Sequence, residues 1–452
     1  MLQQLLPIAR NALVESLRQP IFLLLILLSG FLQVFNTWNT AYSMGSTETG
    51  EVSGDDKLLL DIGMSTIFVA AMILAAFIAT SVLSREIENK TVLTVVSKPV
   101  ARPTLIIGKF LGVAAAITIA TVVMIVYLLL AIRHGVMSTA ADDLDMPVLI
   151  FGFGGTFLAL ALAAWANFFY NWNFPQTAVT LLLPFMLGAY TLVLCINEHW
   201  DFQSPAKDFK PQITVASLCL VMAILVLTSI ATAASTRLKQ VPTVTVCIVV
   251  FLLSLLSNHF IGRHVFTNPY VGIIRAAASD DPTKSRFQDP GDTFNIELEQ
   301  EPVVPIPAGS SFYFGPSPNG SAMLVRDFPP FTGDVTAGGT FIDPKTPFAL
   351  VITQVKGREL TVRAAGSVAD TLILRPPAKG DYVFLNPTKV NVPAFMAWSA
   401  LPNMQAFWYV DAVSQNNPLT LGHAILVILY GVAQIVVALC LAIILFQGRD
   451  VG

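Results

Sequence analysis

Long apolar runs separated by short polar stretches fill the first 260 positions, and one more apolar run returns near position 419. Runs of roughly 20 such residues are long enough to cross a bilayer as helices. The pattern predicts eight spans, at about 20–42, 59–83, 104–132, 147–169, 175–197, 212–235, 241–260 and 419–446. FYNWNFPQ joins the fourth and fifth, and STRLKQVP joins the sixth and seventh. Connections this short make the helices they join antiparallel neighbours. The seventh run is barely long enough. If it were re-entrant, everything after it would change sides.

Two regions depart from this pattern. Ahead of the first span, Leu6, Ala9, Leu13 and Leu17 fall near helical spacing, with Arg10 and Arg18 elsewhere. This predicts an amphipathic helix over 1–19 at the membrane interface, with a frayed tail as the alternative. The stretch 261–418 is rich in Pro, Gly and Asp, and carries short strand-like runs. These are TFNIELE (293–299), SAMLVR (321–326), FALVITQV (348–355), ELTVR (359–363) and DTLILR (370–375), with turns such as VKGRE between them. They predict an all-β, sandwich-like domain. Its last part, PAFMAWSALPNMQAFWYVDAVSQNNP, is aromatic and apolar. It is expected either along the membrane interface, where Trp and Tyr are favoured, or packed against the eighth span.

Composition agrees with the pattern. The chain has 452 residues, 54% hydrophobic and only 12% charged, against about 25% charged in soluble domains. The fold class expected is a polytopic α-helical membrane protein with an inserted extracytoplasmic all-β domain. Spans one to seven occupy 20–260, and the last span and tail occupy 419–452. A net charge of −3 gives no reason to expect a nucleic-acid partner. Cys195, Cys219, Cys247 and Cys440 all lie in apolar runs, where they read as small core residues. No cleavable signal peptide is expected, so the first span stays as an anchor.

Orientation follows from lysine and arginine. With the N-terminus inside, the inner segments before residue 261 hold Arg10, Arg18, Arg85, Lys90, Lys98, Arg102, Lys109, Arg237 and Lys239. The outer loops hold only Lys57, Arg133, Lys207 and Lys210. The excess predicts both termini in the cytoplasm and the β domain outside.

The motifs that would give the chain its own chemistry are missing from the sequence. It has no GxxxxGK[ST], no HExxH and no GxSxG. NEHWD (197–201) brings Glu198, His199 and Asp201 together, either as a metal or proton site or as a solvated turn. Ionisable residues in the spans fall near their ends, as with Asp61, Lys109, His259 and His423. Ion-coupled transporters usually keep such a group near midplane. Any transport would therefore draw its energy from outside these spans.

The charged loop SREIENKTVLTVVSKPVARPTLIIGKF (84–110) sits between the second and third spans. Ile87, Val92, Val95 and Val96 give a short helix an apolar face, and Arg85, Glu86, Glu88 and Lys90 give it charges of both signs. Pro99 stops it, because proline disfavours a helical residue before it. Arg102-Pro103-Thr104 starts the next helix, and Lys109 is placed to snorkel to the surface. Mixed charge beside an apolar face suits a protein partner better than a lipid surface.

The same run resembles the signature of type-2 ATP-binding-cassette (ABC) exporter permeases. The matching positions are Glu86 and Glu88, Thr91 to Leu93, Pro99 with Arg102, and Gly108-Lys109. Lys90 stands where a glycine commonly precedes the threonine. The N-terminal helix is similar to that family's connecting helix. The ending LFQGRDVG is similar to its Phe-x-x-Arg-Asp tail, at Phe446, Arg449 and Asp450.

The resemblance implies a permease subunit in the cytoplasmic (inner) membrane, paired with a second permease subunit, identical or not, and surrounded by lipid. A separate ATPase chain, carrying ATP and Mg, would dock on the coupling loop 84–104. The residues carrying that contact would be Arg85, Glu86, Glu88, Lys90, Thr91, Lys98, Pro99, Arg102, Gly108 and Lys109. The permease itself would bind no cofactor. The family core has six spans, so the extra pair and the β domain are additions. The competing expectation is a membrane-anchored β-domain scaffold or receptor without transport. A third, an intramembrane enzyme, rests on NEHWD alone.

Overall fold

The structure, a computed structural model, describes residues 2–39, 48–84, 101–136, 144–284, 286–302, 304–318, 327–343, 345–366, 375–414 and 421–447. It divides into two compact units, 1–253 with 404–452, and 254–403.

The first unit is helical. It opens with α1 (Leu2–Leu17), α2 (Pro20–Asn39) and α3 (Glu48–Ala79), the last running into a π turn (Thr80–Ser84). Then come α4 (Arg102–His134), α5 (Met146–Tyr170), α6 (Phe174–Cys195), α7 (Pro211–Ser235) and α8 (Gln240–Ser257). A π turn (Asn258–Gly262) and a last turn (Arg263–Val265) extend α8 without a break. Among the described residues eight helices are long and apolar enough to cross a membrane, one for each run expected. The seventh covers Gln240–Val265, 26 residues, so it has the length to cross completely.

Local signals set the helix ends. Asn171, at φ 54, closes α5 in the left-handed region, and the Asn173 side chain accepts from Gln176 N at 3.2 Å to cap α6. Asp145 caps α5, accepting from Val148 N at 3.2 Å. The core gathers α2, α3, α4 and α7, with Phe22, Ile67, Met124 and Ile224 fully buried. Between apolar helices in lipid it is close packing, not loss of water, that holds such a core together.

The aromatic stretch near residue 400 divides between the units. Met404–Phe407 forms a 3₁₀ turn, and a short helix follows at Val410–Ser414; both belong to the helical unit. Phe407 is 1% exposed and packs against Tyr430 in a tilted pair with ring centroids 5.6 Å apart, while Trp408 meets Phe68 edge-on at 6.5 Å. Irregular backbone among membrane helices is stable only where protein surrounds it, as here. The last span, Leu421–Gln447, follows. Cys219 and Cys247 are buried as expected, Cys195 is half-buried, and Cys440 faces outward.

The second unit is β-rich. Its strands are β1 (Phe266–Thr267), β2 (Tyr270–Ser279), β3 (Thr293–Leu298), β4 (Tyr313–Gly315), β5 (Ala349–Lys356), β6 (Glu359–Ala365), β7 (Tyr382–Phe384) and β8 (Lys389–Val390). The sandwich-like expectation takes the form of one curled antiparallel sheet, ordered β4-β7-β2-β3-β6-β5, with β1-β8 as a separate pair. Alternation along β3 and β6 buries Phe294, Ile296, Leu360 and Val362 on one face. Gly357, at φ 59, turns the β5–β6 hairpin. Runs 293–299, 348–355 and 359–363 are strands as expected. Run 321–326 and nearly all of 370–375 lie outside the described residues.

Candidate functional site

Of the ten loop residues singled out in the sequence, Arg85, Glu86, Glu88, Lys90, Thr91, Lys98 and Pro99 lie outside the described residues. Arg449 and Asp450 of the tail also lie outside them. Arg102, Gly108 and Lys109 are placed, and with them the two flanks of the loop. Its first flank is the π turn that ends at Ser84. The second is the start of α4.

Helix α1 holds both flanks. On the first, Gln19, two residues past the end of α1, donates from Nε2 to Ser81 Oγ. On the second, α1 crosses α4 where Gly108 and Gly112 remove side-chain bulk. A Cβ at 108 would stand 2.7 Å from Ile8 Cγ2, and one at 112 would stand 2.6 Å from the Ala12 Cβ. The face of α1 turned inward is thus Ile8, Ala9, Ala12 and Ser16. Of the expected stripe, Leu17 is buried in the core, Leu13 packs against it and Ala9 faces inward, while Leu6 is exposed. Ala9 and Ala12 suit the crossing with α4, where two glycines let the backbones approach closely.

Lys109 is 4% exposed, and its Nζ lies 3.6 Å from Glu15 Oε2 on α1. It is paired beneath α1 instead of reaching for the surface. A buried ammonium is tolerated only with such a partner. At the far end of α1, Arg18 Nε donates to Gln176 Oε1 of α6 at 3.0 Å.

The tail of the last span closes the same end of the unit. Arg102 Nη1 donates to Gln447 O at 3.0 Å, and Arg237 Nε to Leu445 O at 2.8 Å. Cations on the last carbonyls satisfy orphan acceptors and oppose the negative end of the helix dipole. Phe446 is fully buried among Leu105, Ile106, Ala233 and Ala442. Gly112, Ser81 and Gln19 were not singled out in the sequence. The signal for Gly112 was there, since Gly108-Lys-Phe-Leu-Gly112 is a G-x-x-x-G pattern in an apolar helix.

At the opposite end of α4 a second ionic group ties three elements. Arg133 Nη1 donates to Asp145 Oδ2 at 2.6 Å. Arg133 Nε lies 2.9 Å from Asp208 Oδ2, an ion pair without hydrogen-bond alignment. The segment NEHWD is a surface turn. Asn197 Oδ1 accepts from His199 N at 3.0 Å and Asp201 N at 2.8 Å, while the Glu198 and His199 side chains face solvent. Among the described residues no three or more His, Cys, Asp or Glu side chains converge as metal ligands.

Residues 6–196 match the family model described as ABC-2 family transporter protein, so this stretch is an ABC-2 family transporter domain. It takes in α1, the loop and the first five spans. No curated protein and no solved structure matches the chain.

Proposed function

We propose that this chain is the permease subunit of an ATP-driven exporter. A separate ATPase chain, holding ATP and Mg, docks at 84–104, and its closure moves a substrate outward or draws it from the bilayer. Two permease subunits pair in the inner membrane, with both termini in the cytoplasm and the β-rich unit outside. The observation that carries this reading is the bracing of the loop. Gln19, just past the end of α1, is bonded to the turn before the loop, and α1 itself is interlocked with the helix after it. A force applied to the loop therefore reaches α3, α4 and α1 together, because packed helices move as units. The seven undescribed loop residues supply the docking surface, while Arg102, Gly108 and Lys109 fix the frame behind it.

Affinity purification of the full chain tests this reading. A P-loop ATPase should co-purify, and Glu86→Ala with Glu88→Ala should remove it while the permease stays folded. A chain that never retains an ATPase overturns the proposal. The compact 254–403 unit with its own core supports a second reading, a membrane-anchored scaffold or receptor. That reading requires partner binding to survive replacement of the spans by an unrelated anchor.

A further inference from the structure

Among the described residues of the 254–403 unit, one helix has no buried residue. This helix, Val392–Ala400, reads VPAFMAWSA and is capped by Asn391. Val392 and Phe395 are exposed, and Met396 is 66% exposed. Nine residues without a buried face are too few to hold a helix in water.

Its position explains it. Asn391 N donates to Val265 O at 2.8 Å, which fixes the start of the helix at the end of the seventh span. Trp398 Nε1 donates to Asn258 Oδ1 at 2.9 Å, and Asn403 Nδ2 to the same oxygen at 3.0 Å. The segment therefore runs back along the last two turns of that span. The span has 26 residues, about 39 Å of helix against a hydrocarbon core of about 30 Å. Asn258, about 10 Å before its end, lies near the edge of the hydrocarbon. Phe260 and Leu256 of the span are exposed.

We propose that helix 392–400 is a foot of the β-rich unit inserted into the bilayer, with Val392, Phe395 and Met396 lying against phospholipid acyl chains. Lipid is the occupant because these exposed apolar side chains stand on a helix bonded along the last turns of a spanning helix. The intrahelical bonds satisfy the backbone there, as hydrocarbon requires. The foot anchors the unit a second time, independently of any ATPase.

The test is a nitroxide at Met396→Cys, in the full chain with its four native cysteines replaced, in phosphatidylcholine nanodiscs. Collisions with oxygen should exceed those with a water-soluble nickel chelate, as at Leu253→Cys, and the preference should reverse at Lys379→Cys. A Met396 label that behaves like the Lys379 label overturns the proposal. So does one reached by neither agent, which would mean protein cover. If the cysteine-free background fails to fold, Phe395→Trp in the native background replaces it. Lipids brominated along their chains should quench the added emission, and unquenched emission overturns the proposal.

Discussion

Gly112 of α4 faces Ala12 of α1 so closely that a Cβ at 112 would stand 2.6 Å from the Ala12 Cβ and collide with the Ala9 carbonyl oxygen. A backbone atom cannot swing aside as a flexible side chain can, so relief requires moving one helix. Gly112→Leu is expected to lower stability by about 1–3 kcal/mol, the usual cost of overpacking, and to lift α1 from its seat. Thermal unfolding in detergent reads the first effect. Protease cleavage within 2–17 reads the second. An unchanged melting temperature with α1 still protected would show that the seam is slack.

Arg133 holds Asp145, which is 4% exposed, and Asp208 at one end of the bundle. Removing the cation leaves a buried carboxylate without its charge partner. Arg133→Ala is expected to cost about 3 kcal/mol or more. Asp145→Asn should recover part of that loss in the double variant, because the orphaned charge is gone. Additive losses would refute the coupling.

Phe407 fills a space beside Gly431, where a Cβ would lie 3.2 Å from the Phe407 ring. Phe407→Ala should create a cavity at a cost of about 3 kcal/mol. Gly431→Val should be destabilising for the opposite reason, crowding. If both variants melt with the native protein, residues 404–414 are not packed among the spans.

In the β-rich unit, Asp292 accepts from Lys284 Nζ at 2.6 Å, Asp289 N at 2.8 Å and Gln288 N at 2.9 Å. Partial burial works to raise its pKa, but these donors together outweigh it and hold the carboxyl below its usual value. A lowered carboxyl stabilises the fold above its unfolded pKa, near 4, and loses that contribution as pH falls through the folded value. The unit should therefore weaken below about pH 4. Asp292→Asn should remove this carboxyl's share of the acid-dependent part at a cost of about 1–3 kcal/mol at neutral pH. Melting curves of the full chain between acid and neutral pH, with and without the substitution, measure both.

All eight spans were legible in the sequence because an apolar run long enough for a bilayer has few other uses. Strands β3, β5 and β6 were legible through alternation and the Gly357 turn. Strand β2 was not singled out, because YVGIIRAAAS has no strict period and a register shift between Ile274 and Ala276 breaks its pairing. The candidate site was half legible. Gly108 and Lys109 stood out by resemblance, but the reason for Gly108 is a helix about 100 residues earlier in the chain, against which no local pattern can measure clearance.

By itself the sequence determined the membrane class, the span boundaries, the β-rich insertion and the family-like loop, since each depends on hydrophobic length, period or a contiguous motif. Tertiary structure alone decided that Lys109 is buried against Glu15, that α1 braces both flanks of the loop, and that Phe407 enters the helical unit while helix 392–400 stays exposed. Burial, pairing and clearance depend on which distant segments meet, and side-chain chemistry along one strand of sequence does not encode that meeting locally.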